Sequence, residues 1–187
     1  MQDDPVVERK FEGSPAEYVI EVLRERGFDL GKGYEIAFVR PTGQMVAAYT
    51  TETLQAVRTQ SVAELRKLLQ NGVSLDCCNR FGESLVHMAC RRGNVELVRF
   101  LVEEAKVTLL LRDDYGRTVF HDACWTPEPS LELVEYLLEQ VPDFLLVKDV
   151  RGHVPFHYVR KEHWDTWNCF LRDRRDLLRL KLSTPRC

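Results

Sequence analysis

A block that recurs along the chain constrains the fold more than any other feature of the sequence. The stretches "GESLVHMAC" from Gly82, "GRTVFHDACW" from Gly116 and "GHVPFHYV" from Gly152 are variants of one another, with their glycines 34 and then 36 residues apart. His87, His121 and His157 keep the same two spacings, and "NVELVRFLVEE" (94–104) returns as "SLELVEYLLEQ" (130–140). A period of this length marks a solenoid, because one such unit cannot bury its apolar face alone and must stack on its neighbours. Val95, Val98, Leu101 and Val102 fall at i, i+3, i+6 and i+7, as do Leu131, Val134, Leu137 and Leu138, so each set forms a helical stripe. Burying one such side chain is worth roughly 1.5 to 3 kcal/mol, which outweighs the mediocre helix propensity of Val. Ser84 and Thr118 are placed to cap the first helix of a unit, and the glycines suit a tight turn before it.

The repeated block resembles the ankyrin repeat, whose pattern runs Asp-x-x-Gly-x-Thr-Pro-Leu-His-x-Ala. Here it reads "NRFGESLVHMA" from Asn79, "DDYGRTVFHDA" from Asp113 and "DVRGHVPFHYV" from Asp149. The proline is present only as Pro155, where Leu85 and Val119 stand in the other copies, and Val159 replaces the alanine of the last. Extending the period back by 33 places Ser61, Val62, Leu65 and Leu68 under Asn94, Val95, Val98 and Leu101, with "TTETLQAVR" (50–58) as first helix and Leu54 in the histidine's place. The resemblance implies an all-α ankyrin-repeat solenoid of about four repeats, at 46–78, 79–112, 113–148 and 149–172. The first and last of these are atypical caps. An extension (1–45) precedes them and a charged tail (173–187) follows.

Within the extension, "SPAEYVIEVLRERGF" has a cap at Ser14, Pro15 at the first helical position, Glu17 three residues after the cap and a terminator at Gly27, which predicts a helix at about 14–27. Its stripe of Ala16, Val19, Ile20 and Leu23 needs a partner, and docking is expected on the exposed side of the first repeat, the nearest surface. A short extended piece is expected at 36–39. Trp164, Trp167, Phe170 and Leu171 keep helical spacing, as suits a terminal repeat with one wet face, and the final "STPRC" should be loose.

The His121, Asp122, Cys124 cluster invites a catalytic or metal reading. The resemblance instead makes Gly82, His87, Gly116, His121, Gly152 and His157 structural, and Asp122 points around the helix away from His121, so the two form no relay. Zinc would accept the repeated His87-x-x-Cys90 and His121-x-x-Cys124 spacing, yet each cysteine takes a small-residue helix position and free Cys behaves as a small buried hydrophobe. No serine elbow or paired catalytic carboxylates appear, and "GKG" at 31–33 lacks the rest of a phosphate loop. No catalytic residue, metal or cofactor is therefore expected. The net charge of −3 offers no global attraction to nucleic acid, which leaves single-stranded nucleic acid a minor alternative. Six cysteines without a secretory leader suit reduced thiols in cytoplasm or nucleus, and no apolar run nears the ~18 residues of a membrane span.

The resemblance implies protein–protein interaction through loop tips and the outward positions of first helices. At the tips these are Arg80, Phe81, Arg112, Tyr115, Arg117 and Arg151; on the first helices they are Met88, Arg91, Arg92, Asp122, Trp125, Tyr158, Arg160 and Lys161. The second helices carry Glu96, Glu103, Glu104, Glu132, Glu135 and Glu139, so a bipolar molecule is expected. The reading is an adaptor or scaffold binding an acidic or extended segment of another protein, with Trp125, beside the inserted "TPEPS", as the leading hot spot. The alternative is a structural subunit held in a larger assembly by its first helix and its tail.

Overall fold

The computed structural model describes residues 11–30 and 36–181. Two helices, α1 (Pro15–Glu25) and α2 (Gly43–Ala47), precede the stack. Three antiparallel pairs follow: α3 (Thr51–Arg58) with α4 (Val62–Gln70), α5 (Leu85–Arg91) with α6 (Val95–Arg99, prolonged by a π-type turn over Phe100–Glu104), and α7 (Val119–Cys124) with α8 (Leu131–Gln140). Extended pairing among the described residues is limited to an isolated bridge between Cys78 and Ser84.

Most of these short helices begin on a side-chain cap, which isolated helices of such length need. The side chains of Thr50, Ser61, Ser84 and Asn94 accept from the amide three residues on, and Thr118 shares in a reciprocal cap with His121. In the first repeat the residue in the histidine's place is Thr53 rather than Leu54. Thr50 and Thr53 make the reciprocal cap there, because α3 runs one residue longer before the Ser61 cap than α5 does before Asn94. Burial also spreads wider than the sequence stripes. Leu97, Val98 and Leu101, like Leu133, Val134, Leu137 and Leu138, are buried, whereas Val95, Val102 and Leu131 are half-buried. α6 packs both on α5 of its own repeat and on α8 of the next, so a narrow stripe does not describe it.

The fourth unit departs from the others. Its first helix shrinks to a 3-10 turn over Pro155–Tyr158, a second such turn covers Lys161–His163, and α9 (Trp164–Asp173) serves as the second helix. Val154 stands where Ser84 and Thr118 cap, and the His157 ring alone accepts the Val154 amide, at 3.1 Å.

The extension overturns the expected docking. The helix forms where the sequence places it, with both halves of the Ser14–Glu17 capping box made. It packs not on the first repeat but at the far end, on α9 and the Pro155–Tyr158 turn. Asn168 donates to the Gly13 carbonyl (2.9 Å), Arg26 donates to that of Arg175 (2.8 Å), and Arg175 is bonded to Glu25. The reason is surface chemistry. The last unit offers Phe156, Trp167, Phe170 and Leu171, with no further repeat over them among the described residues, and Ala16, Tyr18, Val19, Val22 and Leu23 bury themselves there. The outer side of the first repeat has no aromatic side chain in its groove, whose lining is Thr51, Glu52, Gln55, Glu64, Lys67 and Asn71 with Ala56 and Leu68.

Residues 36–40 then run back along the stack without forming a strand. The Val39 amide donates to the Leu110 carbonyl (2.7 Å), and Phe38 packs against Phe144 with centroids 5.5 Å apart. Met45 of α2 joins Cys78 and Leu111 in a small apolar cluster, which fastens the strap at the first tip. The expected charged tail is also partly structural: Leu178 and Leu180 are buried, Arg174 pairs with Glu135 (2.6 Å), and the Lys181 amide donates to Asp143. The "GKG" stretch and the final "STPRC" lie outside the described residues.

Candidate partner-binding surface

Each repeat is joined to the next by a tip built the same way. Asn79 Oδ1 accepts the amides of Phe81 and Glu83, Asp113 Oδ1 those of Tyr115 and Arg117, and Asp149 Oδ1 those of Arg151 and His153, all between 2.8 and 3.1 Å. The glycine closing each turn has φ between +76° and +83°. At Gly82 the next tip comes so close that an added Cβ would lie 2.2 Å from the Arg112 carbonyl oxygen. The residue at the glycine's preceding position is thereby held outward, and Phe81 is 48% and Tyr115 52% exposed.

The histidines fasten one tip to the next. Nδ1 of His87 takes the Ser84 amide (3.2 Å), and its Nε2 reaches the Arg117 carbonyl of the following tip (3.4 Å). His121 repeats this with the Thr118 amide (3.1 Å) and the His153 carbonyl (3.1 Å). Burial pushes both imidazoles down to about 4, so both are neutral rings with each nitrogen engaged. His157 makes the first bond only and is exposed, since among the described residues no further tip follows. Cys90 and Cys124 are fully enclosed and burial raises their thiols far above the usual range, which makes them poor metal ligands.

Between the second and third tips the exposed rings gather. Trp125 is 44% exposed and meets Tyr158 edge-on at 6.1 Å. The Arg117 guanidinium lies over both Tyr115 (5.1 Å) and Trp125 (5.6 Å) and is paired with Asp113 at 2.6 Å. The Tyr158 hydroxyl donates to Asp149 (2.6 Å), and burial together with that carboxylate pushes it up to about 12. The inserted segment braces this platform from both sides: Ser130 donates to the Gly93 carbonyl (2.9 Å), Thr126 to that of Glu128 (2.7 Å), and the His163 ring sits 3.0 Å from the Pro127 carbonyl.

A model of ankyrin repeats, in three copies, matches residues 53–148. The chain belongs to the ankyrin-repeat family. No curated protein matches it. Ankyrin repeats generally mediate protein–protein interaction, and the ankyrin stack allows each expected partner-facing residue to be placed.

Arg80, Phe81, Arg92, Tyr115, Trp125, Arg151, Arg160 and Lys161 are exposed, and Tyr158 is half-buried beside them. Two others are not on the surface. Met88 is only 9% exposed and joins the core, and Asp122 is fully enclosed, because α5 and α7 pack too closely for a side chain between them to reach solvent. Asp122 is held by Arg91 at 3.0 Å, while its Oδ1 has no partner; burial pushes its carboxyl up to about 6. Arg91, which also pairs with Glu83 (2.8 Å), is thus a structural cation. So is Arg112, which donates to the Gly116 (2.9 Å) and Lys148 (2.5 Å) carbonyls and lies 4.9 Å over Phe38. The bipolar expectation is softened on the other side as well, where Glu104 pairs with Arg66 (2.7 Å), Glu103 with Arg99 and Glu135 with Arg174.

Sequence reasoning placed Asp113 and Asp149 in the repeat pattern without giving these tip carboxylates a role, and it missed Val150, which is 68% exposed at the third tip. It also missed Phe38, for which a lone aromatic in a loop gave no signal.

Proposed function

We propose that this chain is a non-catalytic ankyrin-repeat adaptor that binds an extended segment of another protein across its tips and the outward ends of its first helices. The observation that carries this is the row of large side chains left exposed on a braced framework: Phe81, Tyr115, Trp125 and Val150, with an arginine over three of the four. Aromatic and Arg side chains on a rigid platform are what hot spots are made of. Arg80, Arg92, Arg151 and Arg160 stand exposed around the rings and favour acidic residues in the flanks of the bound segment. The reading as a subunit wedged into an assembly by its first helix and tail loses its basis, because α1 and residues 174–181 bury their apolar side chains on this chain's own stack.

Affinity capture followed by mass spectrometry tests the proposal. The double reversal Arg92→Glu, Arg151→Glu should release the captured protein while far-UV circular dichroism stays unchanged. Undiminished capture by the folded double variant contradicts it.

A further inference from the structure

Within that reading, on which this inference rests, the charges left over at the three tips stand in a fixed order. The tips are built alike, so Arg80, Asp114 and Val150 occupy one position of the turn and Phe81, Tyr115 and Arg151 the next. Their register is locked, since the Arg117 carbonyl lies 3.4 Å from the His87 ring, that of His153 3.1 Å from the His121 ring, and the Val150 amide donates to the Tyr115 carbonyl (2.9 Å). Most tip charges are spent inside the fold. Glu83 is paired with Arg91 and Asp113 with Arg117, Asp149 holds the tip amides and the Tyr158 hydroxyl, and Arg112 is committed to the Gly116 and Lys148 carbonyls and the Phe38 ring. Arg80, Asp114 and Arg151 are exposed, and among the described residues none of the three enters an ion pair. Lys148, exposed beside them, adds to the charge of the third tip. The outward charges therefore run positive, negative, positive along the row of Phe81, Tyr115 and Val150.

That order selects the occupant. A uniformly acidic segment would set a carboxylate against Asp114, and a uniformly basic one would meet Arg80 and Arg151. Like charges brought together across an interface oppose binding and suppress the wrong partner. Neighbouring first helices pack about 10 Å apart, and an extended chain advances about 3.3 Å per residue, so each step from tip to tip spans about three residues. We infer that the partner segment carries an acidic, a basic and an acidic residue at steps of about three residues, with apolar side chains between them for Phe81, Tyr115 and Val150. Its acidic ends meet Arg80 and Arg151, and its basic centre meets Asp114.

The test uses the full chain, labelled with ¹⁵N, and synthetic Ser/Val peptides of equal length whose charged residues recur at every third position. The first peptide carries Glu, Lys and Glu there, the second Glu throughout, and the third Lys, Glu and Lys. The amide signals of Phe81, Tyr115 and Arg151 should move saturably with the first peptide. It should bind about threefold or more tighter than the second, and the third should bind most weakly. Asp114→Lys, a change at an exposed position, should reverse the order of the first two peptides, and circular dichroism confirms that the variant is folded. Raising the salt should shrink the preference, because the selecting charges are exposed. Equal or tighter binding of the all-acidic peptide by the natural chain, an order unchanged by Asp114→Lys, or tip amides unmoved by every peptide at millimolar concentration overturns the inference. The all-acidic peptide bound best, through Arg92 and Arg151, would sink this inference and leave the proposed recognition surface standing. Partner capture indifferent to the Arg92 and Arg151 reversals would remove that surface instead.

Discussion

At one end of the stack α3 and α4 face solvent around a groove of about 460 Å³ lined by Thr51, Gln55, Lys67 and Asn71, while at the other α9 and the Pro155–Tyr158 turn lie beneath α1. The first end is nearer to α1 along the chain, and α1 goes to the second. Apolar side chains decide the matter: the far end would otherwise leave the large Phe156, Trp167 and Leu171 wet, at roughly 25 cal/mol for each Å² exposed, whereas the near-end groove has only Ala56 and Leu68 as apolar lining residues. The ties between tips show the same contrast, since Gly82 and His87 are locked to the next tip and Gly152 and His157 have none to meet. A solenoid's interior repeats are stabilised by their neighbours, and its last repeat needs a cap from elsewhere in the chain.

The largest effect should come from removing that cap. Leu23→Asp places a carboxylate at a fully buried position under α9 and should cost about 4 kcal/mol or more, read as a lower urea midpoint by tryptophan fluorescence. An unmoved midpoint would break the comparison. The glycines sharpen it next. Gly82→Ala should cost about 3 kcal/mol, from a left-handed backbone and a collision with the Arg112 carbonyl, whereas Gly152→Ala, with nothing within 4 Å, should cost about 1 kcal/mol from the backbone alone. Equal losses in thermal denaturation would show that the tips do not interlock.

Acidification probes the interior ties. His87 and His121 titrate near 4 when folded and near 6.5 when unfolded, so the unfolded chain takes up protons first and stability falls as pH drops through 6.5 towards 4. Asp122, raised to about 6, binds its proton in the folded chain and offsets part of that loss. The net decline from pH 7 to pH 5 should be roughly 2 kcal/mol, and His121→Gln should flatten the profile where His157→Gln barely alters it. The smallest effect is expected at the open end, where Gln55→Ala should change stability by less than about 0.5 kcal/mol.

Much of this was legible in the sequence. The period, the tip glycines, the cap at Ser84, and the helix after Ser14 are local signals, carried by residue types with narrow conformational uses. What the sequence could not show depends on which surfaces meet. Asp122 looks like a surface residue until α5 lies against α7, and Arg117 looks available to a partner until its guanidinium is seen on Asp113 and two rings. The destination of α1 was hidden for the same reason, although the Trp164 to Leu171 stripe already announced an apolar face.

Hydrogen–deuterium exchange on the full chain and on Leu23→Asp tests most directly the claim that this chain closes the far end of its own stack. The account predicts that the variant loses amide protection over α9 and the Pro155–Tyr158 turn while α3 and α4 exchange as before. Protection lost first in α3 and α4, with α9 unaffected, would place the helix at the other end and contradict it.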